Sequence, residues 1–526
     1  MADGSRSSLP KGQAASLLPE YIRWLLPSVA DLIFIALLAT LLFTSLSVRV
    51  LGDAGIGWHI RTGQQILGTH NIPRVDRFSS TMSGKPWFAW EWFYDLLVGK
   101  LEASFGLNGV VWFTAVVIAA TFGGLFRFVL SRGANLVVAF VLVLLAISAS
   151  MIHFLARPHV VSWMLTLIWL WLLDSGEWRG FRNRSERNRR WAWLMPELMV
   201  IWVNVHGGFV VAFVLLGIHW VGALWAWLRT RSDQIEELLA KNFARIRVRE
   251  LTWIGFLSVL ASFANPYGWK LHEHIYSYLT NRFLMNHIEE FQSPNFHGLA
   301  QCCFLILLLI AIAIMVAYRR EVGLVRILLL LFAIYAGLYA SRNIPIASIM
   351  LVVVGGPLLK LEWKFARRMS LVESTLRGHL WPTVAIITTL LIVASGGRVG
   401  AQQLADARFD EKRMPVAAVK YIASQELKGP ILSPDFWGGY LIYRLYPQWQ
   451  VVVDDRHDFY GADFFESYLK MLHVEDGWQE FLLATRPGCV LLPRNTALAN
   501  MLRQSSAWRV TYQDDVAIAF VPAPTP

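Results

Sequence analysis

The chain has 526 residues, 55% of them hydrophobic and 16% charged, with a mean hydropathy of +0.44. That balance excludes an ordinary water-soluble globular protein, and the long apolar runs point to a bundle of spanning helices. The formal charge of +11 does not indicate nucleic acid, because the excess sits in short loops between apolar runs, where retention on the cytoplasmic side requires it.

In chain order, Met1 to Glu20 lacks the short apolar stretch and small-residue cleavage site of a signal peptide, so the first apolar run reads as a retained helix. With about twenty apolar residues per span, about eleven spans emerge. They run near 28–48, 109–131, 135–155, 158–174, 191–205, 208–228, 251–264, 299–317, 323–340, 344–360 and 379–397, the fifth and seventh being short. Arg179, Arg182, Arg184, Arg187, Arg189 and Arg190 follow the fourth span. Arg229, Arg231, Lys241, Arg245, Arg247 and Arg249 follow the sixth. Arg319, Arg320, Lys364, Arg367 and Arg368 follow the eighth and tenth. If spans alternate, all four groups share one side, which the positive-inside rule makes cytoplasmic. The N-terminus is then cytoplasmic.

Three large pieces fall on the opposite face: the first loop from Arg49 to Asn108, the segment Asn265 to Gly298, and the tail from Arg398 to Pro526. In the tail, β-rich runs (Pro430–Ser433, Gln450–Asp454, Cys489–Leu492, Val516–Val521) alternate with helical stretches at Phe464–His473 and Trp478–Ala484. That pattern predicts a small α/β domain over 398–526, beside a membrane domain over 1–397. No GxGxxG fingerprint marks it as nucleotide-binding. Cys302, Cys303 and Cys489 have neither metal spacing nor a disulfide framework. The 24 tryptophans suit interfacial belts.

Polar residues gather at the outer ends of the spans, where ionisable groups are costly and call for a reason. Asp53 follows the first span; Arg157-Pro158-His159 lies between the third and fourth. Asn204-Val205-His206-Gly207-Gly208 lies between the fifth and sixth, Asn265-Pro266-Tyr267 follows the seventh, and Arg342-Asn343 lies between the ninth and tenth. Each turn alone reads as solvated loop; together, on one face, they read as the rim of a cavity. In the first loop, Ile56, Trp58, Ile60, Ile66 and Leu67 predict a short amphipathic helix lying on the membrane. Beyond it come Asp76 and the aromatic segment Trp87 to Asp95, with Glu91 and Trp92.

This layout resembles the GT-C superfamily of membrane glycosyltransferases, which includes protein O-mannosyltransferases, aminoarabinose transferases and oligosaccharyltransferases. Asp53 holds the acidic position after the first span, and Gly84-Lys85-Pro86-Trp87 to Glu91-Trp92 looks like the segment before the second. The chain looks closest to an uncharacterised bacterial GT-C-like group with an Asn-x-His-Gly-Gly turn, an Asn-Pro-Tyr-Gly turn and a Gly-Gly-Tyr-Leu…Asp-x-Arg tail. It departs from several members in lacking an Asp-Glu pair after the first span, and it lacks the Trp-Trp-Asp signature of oligosaccharyltransferases.

The resemblance implies a mainly α, polytopic bundle with an extracytoplasmic α/β domain, placed in a bacterial inner membrane. It further implies transfer of a sugar from a polyprenyl-phosphate donor to an extracytoplasmic lipid, glycan or protein acceptor. Inverting transfer needs a base at the acceptor and cations at the leaving phosphate. Asp53 is the candidate base, and Arg61, Arg157 and Arg342 are the candidates for phosphate. His59, His159 and His206 are candidates for hydrogen bonds to phosphate or sugar, with Trp92, Asn204, Asn265, Tyr267 and Asn343 lining the same face. Asp76 and Glu91 are candidates for contact with the acceptor or with a divalent cation, Mg or Mn. In the tail, Trp437-Gly438-Gly439-Tyr440 and Asp454-Asp455-Arg456-His457-Asp458 read first as a turn fixed by an Asp–Arg pair, second as acceptor recognition or a lid. Two other classes compete. A transporter or flippase requires ionisable residues deep in the spans, and only His153, His219 and Asp31 approach that. A non-catalytic GT-C-like assembly subunit is the other.

Overall fold

The computed structural model describes residues 19–174, 191–230, 234–359, 363–376 and 380–524. The basic residues Arg179, Arg182, Arg184, Arg187, Arg189, Arg190 and Arg231 lie outside them.

Each expected span corresponds to a helix. They are α1 (Val29–Phe43), α3 (Trp92–Ser131), α4 (Leu136–Ser150), α5 (His159–Leu173), α6 (Met195–Val205), α7 (Val210–Arg229), α8 (Ile235–Ser262), α10 (Leu299–Ala317), α11 (Leu324–Tyr339), α12 (Ile344–Gly355) and α13 (Leu380–Ala394). Between them lie α2 (Ile56–Thr69) in the first loop and α9 (Trp269–Thr280) after α8. Among the described residues, five helical stretches are long and apolar enough to cross a membrane: Tyr21–Phe43, Trp92–Ser131, Leu136–His153, Gly207–Arg229 and Leu299–Ala317. Five more are apolar but shorter. The chain is a multi-pass membrane protein, mainly helical, with a small sheet near its C-terminus.

Local sequence sets the ends of these helices. α1 opens on a capping box in which Ser28 accepts from the Asp31 backbone N–H while the Asp31 carboxylate accepts from Ser28 N–H at 2.8 Å. α4 is capped by Asn135, which accepts from Val137 N–H at 2.9 Å. α3 runs for 40 residues and changes direction at Gly106, whose φ of 62° is open to glycine without a Cβ penalty. The helix therefore begins at Trp92, well before the expected start near 109. Asp95, Lys100 and Glu102 had interrupted the apolar pattern there. The expected span at 251–264 is the apolar end of α8, whose first half is charged.

The amphipathic α2 forms as expected, but both of its faces are covered. Gly63 on one side meets Gly99 of α3, where a Cβ would lie 1.8 Å from the Asp95 carbonyl oxygen. On the other side α2 meets α14 (Asp435–Leu445) of the tail. Gly57 and Gly439 form that crossing, and a Cβ on Gly57 would lie 2.1 Å from the Gly439 carbonyl oxygen. Gly439 thus permits the close helix approach, while Gly438 leaves room for the backbone at Val453 and Asp454.

The tail contains β1 (Ile431–Leu432), α15 (Ala462–His473), α16 (Trp478–Thr485), β2 (Cys489–Pro493), β3 (Trp508–Gln513) and β4 (Ala517–Pro522). Sheet order is β1-β2-β4-β3, with β1 and β2 parallel and the other pairs antiparallel. The run Gln450–Asp454 supplies isolated bridges in place of a full strand. Val451 pairs in parallel with both Ile431 and Ser79. Its N–H donates to the Phe78 carbonyl at 3.1 Å, and its carbonyl accepts from Ser80 N–H at 2.8 Å. First-loop residues 78–80 therefore complete the edge of the tail's sheet, leaving fewer open backbone groups there. One buried apolar cluster runs from the bundle into the tail through Trp437, Tyr440, Val451 and Ala517.

Candidate functional site

The site forms where the first loop, the α4–α5 turn and the tail meet. Arg157 stands in that turn, beyond the 3-10 turn Met151–His153, and the residue before it is anchored to the short helix Leu46–Val50: Ala156 N–H donates to the Val50 carbonyl at 2.8 Å. Its guanidinium forks onto Asp53, with Nε 2.6 Å from Oδ2 and Nη2 2.7 Å from Oδ1. Nη2 also donates to Asp455 Oδ2 at 2.5 Å. Asp53 Oδ1 accepts from Gly55 N–H at 2.8 Å, and Asp455 Oδ1 from Trp58 Nε1 at 3.0 Å. A Cβ on Gly55 would lie 2.3 Å from Asp455 Oδ2, so glycine is required for the loop to pass the ion cluster. Burial pushes the Asp455 carboxyl up to about 6 against the pull of Arg157, helped by its neighbours Asp53 and Asp454.

Arg456, one residue on, faces the other way. It is 3% exposed, clamps Asp454 through Nε and Nη2 at 2.7 and 2.6 Å, and reaches Asp76 Oδ1 at 2.8 Å. Its guanidinium carbon stands 4.7 Å from the Trp87 ring centre and 5.1 Å from that of Phe459. Burial pushes the Asp76 carboxyl up, but Arg456 and the Ser79 hydroxyl and N–H reverse this and hold it below its ordinary value. This ion cluster ties the first loop to the tail.

A second polar group adjoins the first. His59 Nδ1 lies 2.5 Å from Asp95 Oδ1 on the first turn of α3, and its Nε2 faces Glu91 Oε2 at 3.8 Å. His206 Nε2 faces the other oxygen, Glu91 Oε1, also at 3.8 Å. The His206 tautomer follows from its surroundings. Nδ1 accepts from Gly208 N–H at 3.0 Å and from the Ser162 hydroxyl at 2.9 Å, while Ser162 accepts from Trp202 Nε1 at 2.8 Å. The proton of His206 therefore sits on Nε2 and points at Glu91. Burial raises the Glu91 carboxyl to about 8, against Arg157 and with Asp458. Burial, then the Arg157 charge, holds His59 well below its ordinary value, so it is neutral.

Other candidates line the same region. Trp92 Nε1 donates to Asn204 Oδ1 at 2.7 Å, and Asn204 donates to the Val200 and Ala264 carbonyls, both at 2.8 Å. Arg342 reaches Glu290 at 3.3 Å and covers Phe291. Burial raises the Glu290 carboxyl, yet Arg342 and Arg157 bring it down to about 2. His159 Nε2 bonds the His153 carbonyl at 2.9 Å, beside the Arg157–Glu290 field.

Five candidates are engaged structurally. Arg61 donates to the Tyr443 carbonyl at 2.9 and 2.5 Å, closing α14, and to Gln64 Oε1 at 3.0 Å. Asp76 is sealed beneath Arg456. Asn265 closes its own turn on the Ser262 and Gly268 carbonyls. Tyr267 accepts from Ala89 N–H at 2.8 Å, and Asn343 donates to the Ala336 carbonyl at 3.1 Å. The residues that sequence reasoning passed over are Glu290 and Tyr278; Asp95 was legible only as the end of the aromatic segment, and Asp458 only within a charged run. Asp458 accepts from or pairs with His274 Nε2 at 2.9 Å. Asp455 was legible only as part of a charged run. No periodicity marks such residues; their role arises from distant segments meeting.

The donor set does not fit a divalent cation at Asp53. Both its oxygens and one of Asp455 are directed at a guanidinium, which holds the place a cation needs. Among the described residues no group of three His, Cys, Asp or Glu side chains is placed to hold a metal ion.

No family model matches the chain, and no curated protein does. Among solved structures, the apo oligosaccharyltransferase of Archaeoglobus fulgidus is similar with a TM-score of 0.52 at 11% identity, over 94% of this chain and 74% of that one. The same enzyme tethered to an acceptor peptide containing the NVT sequon gives 0.51 at 12% identity over the same shares. ArnT from Cupriavidus metallidurans in the apo state gives 0.48 at 14% identity, over 93% of this chain and 97% of that one. At these identities the likeness to the oligosaccharyltransferase structures is one of fold, a mainly helical multi-span bundle with a C-terminal domain, as the resemblance implied.

Proposed function

We propose that this chain is a membrane glycosyltransferase that moves a sugar from a polyprenyl-phosphate donor to an extracytoplasmic acceptor. It sits in a bacterial inner membrane, with residues 1–397 as the membrane domain and 398–526 as an extracytoplasmic domain. The observation that carries the reading is the Arg157 guanidinium, shared by Asp53 and Asp455 where the first loop, the α4–α5 turn and the tail meet, in a GT-C-type fold.

A guanidinium fork suits phosphate oxygens as well as carboxylates. A donor phosphate entering the site takes over Arg157, which releases Asp53 to accept the proton of the acceptor hydroxyl. The acceptor oxygen then bonds to the anomeric carbon, the bond to the phosphate oxygen breaks, and the electron pair leaves on polyprenyl phosphate. Arg342, paired with Glu290, adds positive charge to the same field.

The test is a panel of polyprenyl-phosphate sugars offered to purified protein in nanodiscs, wild type beside Asp53→Asn. Release of polyprenyl phosphate by wild type, reduced about 100-fold or more in the mutant, is the expected result. Release that is unchanged in Asp53→Asn removes the base assignment. Neither binding nor release across the panel refutes the transferase reading and favours a transporter or an assembly subunit.

A further inference from the structure

Glu91 is the buried carboxyl that the reaction above leaves unused. It caps the start of α3 and is 8% exposed. Among the described residues its side-chain oxygens make no hydrogen bond; each faces one histidine Nε2 at 3.8 Å. Those histidines are themselves fixed from behind, His59 by Asp95 and His206 by Gly208 N–H and Ser162. A gap of 3.8 Å on both sides holds the carboxyl in position without satisfying it.

We propose that Glu91 is a neutral hydrogen-bond donor to the phosphate leaving group, held by His59 and His206 for that purpose. The inference rests on the transferase reading and adds a catalytic residue to it. Charge and position support it. Arg157, the cation assigned to the phosphate, is the strongest single charge acting on Glu91. Arg342, Glu290 and Asp458 also face it, together with the two histidines and Asp95 behind His59. Burial holds the carboxyl at about 8, so it is mostly protonated at neutral pH. Asp53 is paired with the Arg157 guanidinium, whereas Glu91 has only two histidine nitrogens at 3.8 Å, and two carboxyls in surroundings this different divide into a base and a donor. The second ionisation of a phosphate lies near about 6, below that of Glu91. The proton is therefore shared with the developing phosphate charge and not given up, which is the action of an oxyanion-type donor.

This assignment has a pH sign. As pH rises through about 8, Glu91 ionises, loses its proton and repels the phosphate, so turnover falls on the alkaline side. The experiment compares wild type, Glu91→Gln and Glu91→Leu, measuring single-turnover release of polyprenyl phosphate from pH 6 to 9.5 at saturating donor. Glutamine keeps a neutral donor. It is expected to stay within about tenfold of wild type at pH 7 and to lose the alkaline limb. Leucine removes the donor and is expected to cost about 10²–10³-fold with donor binding retained. If Glu91→Gln falls as far as Glu91→Leu, or if the alkaline limb persists in Glu91→Gln, the proposal is overturned while the transferase reading stands. A wild-type protein that releases nothing from any donor overturns both.

Discussion

Replacing Arg456 by methionine tests how the first loop and the tail are joined. In the folded protein this guanidinium serves two carboxylates that are fully buried, Asp76 and Asp454, and is itself 3% exposed. The substitution keeps most of the apolar stem against Trp87 and Phe459 but leaves both carboxylates without their cation. Asp76 keeps the Ser79 hydroxyl at 2.6 Å and Asp454 keeps Tyr460 at 2.9 Å. Stranding a buried charge costs about 3–5 kcal/mol, a large part of the about 5–15 kcal/mol available to a typical domain. The pH dependence gives a sharper signature. Asp76 lies below its ordinary value in wild type, so the stability it contributes is present above the unfolded value of about 3.9 and is lost as pH falls through the lower folded value. In Arg456→Met the pull is gone, burial dominates, and the folded value rises above the unfolded one. The mutant then gains more stability than wild type as pH falls from 8 to 5. Thermal unfolding in detergent, followed by tryptophan fluorescence across that range, reads both effects. A loss below about 1 kcal/mol, or the same loss at pH 5 and pH 8, refutes the buried ion cluster.

Gly439→Ala places a Cβ 2.3 Å from the Ala54 carbonyl oxygen, so α14 must move off α2; faster proteolysis within 398–430 and a loss of about 1–3 kcal/mol are expected. Trp92→Phe removes the donor to Asn204, which keeps its two carbonyl bonds, so thermal unfolding should show a loss of about 1 kcal/mol. Asp455→Asn removes one of two carboxylates on Arg157 and the group that titrates near 6. Donor affinity, measured by binding to nanodiscs, should rise in the mutant above pH 6 and match wild type below it, where Asp455 is already neutral. Equal affinities at pH 7.5 would sink that account.

Helix number and placement were legible because a span is a long, one-dimensional signal: each expected apolar run lies on a helix. Boundaries failed where charge interrupted that signal, as at Asp95, Lys100 and Glu102 on the first turns of α3. The amphipathic pattern of α2 was real, but periodicity cannot say what covers a face, and its polar-looking side carries Gly57 against the tail. Asp53, Arg157, Glu91 and His206 could be singled out as polar groups at span ends. Their pairing could not, since Arg157 meets Asp455 across 298 positions of sequence and no local spacing encodes that contact. Arg61 illustrates the opposite error: an arginine in the right loop whose fork is used on a helix C-terminal carbonyl.

The tail's part in the site follows from electrostatics. A buried guanidinium is tolerated only if something balances its charge. Asp53 alone would do so, but an Arg157–Asp53 pair of that geometry would resist displacement by a phosphate. Asp455 shares Nη2 with Asp53, so neither carboxylate holds the whole cation. Asp455 is also the weaker partner, because burial and the nearby Asp53 and Asp454 raise it to about 6. It is the group whose release costs least when the anionic phosphodiester of a donor enters. Its backbone is held by Asp454 and Arg456, whose cluster is locked into the first loop through Asp76. Under the proposed transferase function, a tail fixed this firmly at Arg456 and paired with Arg157 through Asp455 belongs to the donor site, and a chain cut before residue 398 should lose donor binding.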